Sequence, residues 1–351
     1  MSAGTARRRW LVGMGFLLPN FLGFCAFTLV PLALSFGMAF TDWDILRHNI
    51  FRHEALHFVG FDNFTRLFGD PQFWRDLGNT LFLMLGLPFG IAGSLGAALL
   101  LTRVGRRRCA VGPALVVATL IFVASGLVLL RGGMAGGGLA MLLGTFSASV
   151  LVAGVLTRGT VYRTLFYIPS FTSGIATFVL WKNLYNPHGG PINLALSRLG
   201  FDPPNWLGDY GWAKPALMIM ALWAAIGSNN MILYLAALGN VSPELYEAAE
   251  IDGASPGQRF WNITWPQLAP TTFFIVVTGV VAGLQGGFEM ARPMTQGGPA
   301  GATTTLSYLI FTEGFETGRL AYASAVAWFL FVLVFILSLL NFRFLNRHAD
   351  D

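Results

Sequence analysis

Apolar positions gather into eight runs separated by polar breaks, at approximately residues 10–40, 79–102, 110–130, 139–156, 164–185, 215–238, 271–289 and 320–342. A helix needs roughly 20 apolar residues to cross the hydrocarbon core of a bilayer. A spanning segment must also satisfy its own backbone polar groups, which a helix does. The pattern therefore predicts an all-α polytopic membrane protein with about eight transmembrane helices. The first run has a basic start and Ala33-Leu34-Ser35 downstream, but it is too long for the apolar core of a signal peptide. It reads as an uncleaved anchor helix over residues 1–40.

Composition strengthens this picture. The 351-residue chain is 54% hydrophobic and 11% charged, where a soluble domain carries roughly 25% charged residues. Its mean hydropathy is +0.61. The net charge of +5 does not mark a nucleic-acid surface. The basic residues sit at the ends of the apolar runs: Arg7-Arg8-Arg9, Arg103 with Arg106-Arg107-Arg108, Arg158 with Arg163, and Arg343 with Arg347. Short cytoplasmic segments are enriched in Arg and Lys. With the N-terminus inside and the spans alternating, all four clusters and the C-terminal tail 346–351 fall on the cytoplasmic side. Cys25, in a span, and Cys109, at the inner face, give no disulfide framework.

One polar break carries the strongest chemistry. It is EAAEIDGASPGQRFWNITWPQLAP, residues 247–270. Ser242 is a good N-cap and Pro243 suits the first helical position. Glu244 and Glu247 are read in the first turn, where the helix dipole favours acids. Gly253 is a natural stop, and Ser255-Pro256 repeats the start signal. The expectation is two short helices at an angle, the second running toward Trp265-Pro266. Ala248, Ala249 and Ala254 are small enough for close docking into a groove. Glu247 and Asp252 can meet basic or backbone donors there, while Phe260 and Ile263 can anchor the loop on its own bundle.

The register Glu247-Ala248-Ala249, Asp252-Gly253-Ala254, Phe260, Ile263, Pro266, Pro270 closely resembles the EAA loop of permease subunits of binding-protein-dependent ABC importers. In that family the loop is the cytoplasmic contact for the ATPase subunit. Two further segments resemble sugar-type permeases: Phe58 to Asn79-Thr80, and Thr295-Gln296-Gly297-Gly298-Pro299 followed by Thr303-Thr304-Thr305. The aromatic spacing of the first suits a short helix at the membrane interface, although ordinary aromatic packing of a loop predicts the same sequence. In the family, a pattern like Arg163-Thr164-Leu165-Phe166-Tyr167-Ile168-Pro169 follows soon after the second helix. Here residues 103–160 intervene, so they read as an inserted helical hairpin reversed at the glycines of 132–138. Parity agrees, because two extra spans keep the EAA segment inside.

The resulting organisation is an anchor helix (1–40), an extracytoplasmic loop (41–78), a transmembrane permease domain (79–345) with the inserted hairpin (103–160) and a cytoplasmic coupling loop (239–270), and the short tail. Polar residues near the span ends are candidates for a solute path. Asn229 and Asn230, and Gln285 and Glu289, are costly in hydrocarbon unless they face the bundle interior. They suit either a polar cavity for a hydroxylated solute or interhelical hydrogen bonds. Trp223 and Phe288 can stack on a sugar face, or pack as ordinary core.

Two other features tempt. His53-Glu54-Ala55-Leu56-His57 matches the HExxH zinc-protease spacing, with His48 or Asp62 as a third ligand. It lies in the first outer loop, so it reads as coincidence and no metal is expected. A P-loop ends in Gly-Lys-Ser/Thr, and the two lysines here are Lys182 in Trp-Lys-Asn and Lys214 in Ala-Lys-Pro. This chain therefore has no ATP site.

The resemblance implies an inner-membrane permease subunit that catalyses no covalent chemistry. It implies a second permease, two ATPase subunits that hold ATP and Mg, an extracytoplasmic solute-binding protein, and a sugar or related polyol as solute. The rival readings are a membrane metalloenzyme using the HExxH loop and an ion-coupled secondary carrier. The second is disfavoured because Glu289, at an edge, is the one acidic residue in the apolar runs.

Overall fold

The computed structural model describes residues 3–48, 51, 54–104, 166–167 and 174–349. Helices run over Ala3–Phe24 (α1), Val30–Met38 (α2), Asp62–Gly69 (α3), Pro71–Met84 (α4), Gly86–Val104 (α5), Ile175–Leu184 (α6), Pro191–Arg198 (α7), Tyr210–Ile226 (α8), Asn229–Asn240 (α9), Pro243–Ile251 (α10), Pro256–Arg259 (α11), Trp265–Gln285 (α12), Phe288–Thr295 (α13), Leu306–Phe311 (α14) and Leu320–Ala349 (α15). A π-helical turn, Cys25–Leu29, joins α1 to α2; another, Phe260–Thr264, joins α11 to α12; a third, Thr312–Glu316, follows α14.

Among the described residues, five helical stretches are long and apolar enough to cross a membrane: Val12–Met38, Pro71–Thr102, Tyr210–Asn240, Pro256–Gln285 and Leu320–Arg343. They correspond to five of the eight apolar runs. The expected hairpin lies outside the described residues apart from 103–104, and the run at 164–185 is represented by 166–167 and α6. The second span begins earlier than its hydropathy suggests. Asp70 accepts the Gln72 N–H at 2.8 Å, and Pro71 opens α4, so 71–78 are helical rather than loop.

Two compact units can be distinguished, residues 1–78 with 305–335, and residues 79–304 with 336–351. In the first, Phe36 meets Trp328 edge-on at 4.7 Å and Phe73 meets Phe329 at 5.0 Å. Asn63 donates to the Ala39 and Thr41 carbonyls, which fixes α3 beneath the end of α2. Arg319 and Glu313 form an ion pair at 2.6 Å, with the carboxylate buried. Helix α3 buries Leu67 and leaves Phe61 and Phe68 exposed, as an interfacial helix would.

In the second unit the core joins three spans. Leu95, Ala98 and Leu101 of α5 pack with Met231 and Tyr234 of α9 and with Leu268 and Ile275 of α12. Small residues set how closely the helices approach. A Cβ on Gly93 would strike Ile226 of α8, and one on Gly279 would strike Leu87. Ser94 Oγ spans the α5–α8 seam, donating to the carbonyls of Gly90 at 2.8 Å and Ala225 at 3.0 Å.

Two predicted spans are interrupted. The run at 215–238 breaks at Gly227-Ser228, between α8 and α9. The backbone of Phe166 lies where a Cβ on residue 227 would be, so only glycine fits and the chain bends past it. The run at 271–289 ends at Gln285; Gly286 and Gly287, the latter at φ +95°, turn the chain into α13.

Candidate functional site

The exposed segment from Ser242 to Trp265 is built largely by its own caps. Pro243 opens α10 with Ser242 at the N-cap position, although the Ser242 hydroxyl makes no capping bond. Glu244 is the acid of the first turn; Glu247 lies one turn further on, which corrects the sequence reading. The C-terminus is a complete Schellman motif. Gly253 sits at φ +74°, its N–H reaches the Glu250 carbonyl at 3.1 Å, and the Ala254 N–H reaches Ala249 at 2.8 Å. Nothing lies within 4 Å of a Cβ placed on Gly253. Glycine is needed there for its backbone conformation, not for space.

Ser255 then starts α11 with a capping box, its hydroxyl accepting the Gln258 N–H and the Gln258 side chain accepting the Ser255 N–H. The second short helix does not stop near Pro266. It continues through the π turn into α12, and Pro256–Gln285 is one spanning stretch. The Trp265 N–H bonds to Phe260 five residues back. This extra residue in the turn is taken up just before Pro266, which has no N–H to offer.

Glu247, Ala248, Asp252 and Pro266 are exposed, whereas Ala249, Ala254, Phe260 and Ile263 are half-buried. Phe260 packs against the core cluster of α5, α9 and α12. Leu245, Ile251 and Trp261 are exposed large apolar side chains, Ile251 at 87%. Four residues that sequence reasoning passed over brace the bend. Arg259 donates from Nη1 to Glu250 Oε2 at 3.2 Å and from Nε to the Ala254 carbonyl at 3.1 Å. Tyr246 and Thr264 share a hydroxyl–hydroxyl hydrogen bond of 2.8 Å. Their signal was faint: a cation nine positions after an acid, across a glycine stop.

The candidate path residues fall at the two helix breaks. Asn229 and Asn230 open α9, where the Ser228 hydroxyl accepts the Asn230 backbone N–H. Their position in the chain thus has a local cause. Asn229 is exposed and Asn230 half-buried. Gln285 ends α12 and is exposed; Glu289 is not in that span but in the first turn of α13, also exposed. Trp223 packs edge-on against Trp181 at 5.7 Å, next to the Trp181–Tyr185 and Tyr185–Trp206 contacts. Phe288 lies under the Arg292 guanidinium, 5.9 Å from ring centre.

Two more residues were missed. Lys214 of α8 donates to Asn79 Oδ1 at 3.1 Å and lies over the rings of Phe82 at 5.4 Å and Tyr210 at 5.7 Å. Asn79 in turn donates to the Gly301 and Thr304 carbonyls. In the HExxH stretch, His53 lies outside the described residues. The His57 backbone N–H and Nδ1 meet Asp42 at 2.8 and 3.2 Å, and the backbone bond foremost holds that carboxyl below its ordinary range. Among the described residues no group of three or more potential ligands is arranged for a metal.

Residues 140–349 match the family model of the binding-protein-dependent transport system inner membrane component. The chain belongs to this family. It is accordingly a multi-pass inner-membrane transporter subunit with the all-helical permease fold. It is 28% identical over 346 residues to the probable ABC transporter permease protein YesP of Bacillus subtilis, covering 97% of this chain and 92% of that protein. It is 36% identical to the sn-glycerol-3-phosphate transport system permease protein UgpA of Pectobacterium atrosepticum, over 61% of this chain and 71% of the relative. Among solved structures it matches a bacterial ABC transporter involved in import of the acidic polysaccharide alginate, with TM-score 0.70, 25% identity and 98% of both chains covered. A second structure of the alginate transporter, in complex with a pentasaccharide-bound periplasmic protein, matches with TM-score 0.68 and 25% identity over 96% of this chain and 94% of that one. Nothing in these likenesses supports the metalloenzyme or secondary-carrier readings.

Proposed function

We propose that this chain is a permease subunit of an ABC importer for carbohydrates, and that α10 and α11 are the docking element for a separate ATPase. A second permease completes the path, two ATPase subunits supply the energy, and an extracytoplasmic binding protein delivers the solute. The N- and C-termini are cytoplasmic. The observation that carries the docking assignment is the self-capped, exposed bend of 242–264, in register with the family's loop and continuous with the span Pro256–Gln285. Its open face offers Leu245, Ala248 and Ile251 to a groove, with Glu247 and Asp252 beside them. A photo-crosslinker at Ala248 in the assembled complex should capture the ATPase subunit. Capture of none in a complex that hydrolyses ATP would remove the assignment.

Asn229, Asn230, Gln285 and Glu289 are assigned to the solute path at the two helix breaks, and Trp223 is assigned to the same path. The Asn230 backbone is capped by Ser228 rather than by its own side chain, so Asn230→Leu should leave assembly intact and lower uptake. A fall in assembly before any fall in uptake would make it a structural residue.

A second observation narrows the solute class. Alginate and glycerol phosphate, the solutes of the relatives, are both anionic. In this chain Lys214 has aromatic and amide neighbours and, among the described residues, no carboxylate within salt-bridge distance. An acidic sugar or polyol phosphate fits such a cation on the outer half of a span. In proteoliposomes with the binding protein, an acidic oligosaccharide should stimulate ATP hydrolysis and its neutral counterpart should not. The reverse order would exclude the anionic class.

A further inference from the structure

The bend between α10 and α11 is the place where motion imposed on the loop must enter the membrane helices. Only residues 252–255 connect the two helices. Beyond the two backbone bonds of the Schellman motif, Gly253, at φ +74° with open space around it, gives that connection no side chain to stiffen it. A backbone joint of this kind would hinge when pushed.

Two side-chain ties cross the joint. Close to the elbow, Arg259 reaches back from α11 to the Glu250 carboxylate at 3.2 Å and the Ala254 carbonyl at 3.1 Å. Further along, Tyr246 of α10 bonds Thr264 of the π turn at 2.8 Å, and Thr264 Oγ1 lies 3.4 Å from the Arg259 carbonyl. Thr264 is buried at 5% exposure, so the second tie is rooted in the foot of α12. Two ties at different distances from a hinge block rotation about it where one would leave an axis free.

We propose that Arg259 with Glu250, and Tyr246 with Thr264, form a latch that locks α10 and the foot of α12 into one rigid lever. They are positioning residues: they touch neither solute nor nucleotide, and act by transmitting displacement of α10 to the span. The inference rests on the reading that α10 docks the ATPase. The exposure of the ion pair supports a mechanical role over a stabilising one. Glu250 is 72% exposed, and exposed pairs contribute little to fold stability. Losing the latch should therefore be read in coupling rather than in folding.

The test uses the complete importer in proteoliposomes with its binding protein. The double variant Arg259→Ala/Tyr246→Phe should assemble with the ATPase in normal stoichiometry and hydrolyse ATP at close to the unmodified rate. Solute moved per ATP should fall about tenfold, within the usual range of coupling between sites. The charge swap Arg259→Glu/Glu250→Arg, made with Tyr246 intact, should recover most of the ratio that Arg259→Glu alone loses. Spin labels at Glu244 and Gln267 should give a narrow distance distribution in the parent and a broadened one in the double variant. An unchanged solute-to-ATP ratio, or an unbroadened distribution, overturns the latch. Loss of the ATPase from the Arg259→Ala complex also overturns it, because Arg259 would then be a partner contact. Failure of the docking reading itself is separable: the Ala248 crosslink would miss the ATPase in the unmodified complex.

Discussion

Two polar segments of the same unit satisfy their hydrogen-bonding groups in different ways. The segment 242–264 satisfies itself: a Schellman motif closes α10, a capping box opens α11, and the Arg259 and Tyr246 ties span the bend. The segment 295–304 has turns of its own but also borrows from the bundle. Buried Asn79 of α4 donates to its Gly301 and Thr304 carbonyls, and Lys214 of α8 holds Asn79; within the segment, the buried Thr303 hydroxyl bonds Thr295 at 2.6 Å. The first keeps an open face and a shape of its own, as an element gripped by another chain requires. The second is tied to α4 by Asn79 and, through Asn79, to Lys214 of α8.

The largest expected effect lies in the pinned segment. Asn79→Leu removes three hydrogen bonds at a site 2% exposed. Each is worth about 1 kcal/mol net, more for the charged one. We expect a clear drop in complex yield and in melting temperature in detergent. A stable Asn79→Leu complex would break the comparison, since the segment would then hold without the bundle.

Next comes the turn of the self-satisfied segment. Gly253→Val forces a β-branched residue into left-handed backbone, at about 1–2 kcal/mol. Membrane insertion should survive because no neighbour is struck, while uptake is lost as the Schellman turn opens. Gly253→Asn, which tolerates that conformation, should keep most of the uptake. Equal loss in both variants would mean that space, not backbone conformation, demands the glycine.

The smallest effect on the chain itself is expected from Glu247→Lys. Glu247 is exposed on α10, and surface changes of this kind stay within about 0.5 kcal/mol. Melting of the isolated subunit should be unchanged, while ATPase association weakens and becomes less sensitive to salt. Unaltered association would take Glu247 out of the docking face.

Much of this was legible because it is local. Ser242-Pro243, Gly253 and Ser255-Pro256 announce their caps within four residues, and the span ends follow from hydropathy. The exceptions are instructive. Pro266 suggested a helix end, yet the π turn before it absorbs the missing donor. Glu289 read as part of a span, yet Gly286-Gly287 turn the chain first.

The sequence by itself determined the membrane-spanning class, the five apolar stretches of the described residues, and the existence and caps of the exposed bend. These depend on hydrophobic runs and on bonds reaching three or four residues along the chain. Tertiary structure decided that residue 227, at the break between α8 and α9, must be glycine, because the Phe166 backbone leaves no room for a Cβ. It also decided that Lys214 finds Asn79, 135 positions away, and that Tyr246 finds Thr264 across the bend. No local spacing encodes such pairs. They form because burying a polar group is costly until another segment of the fold supplies its partner.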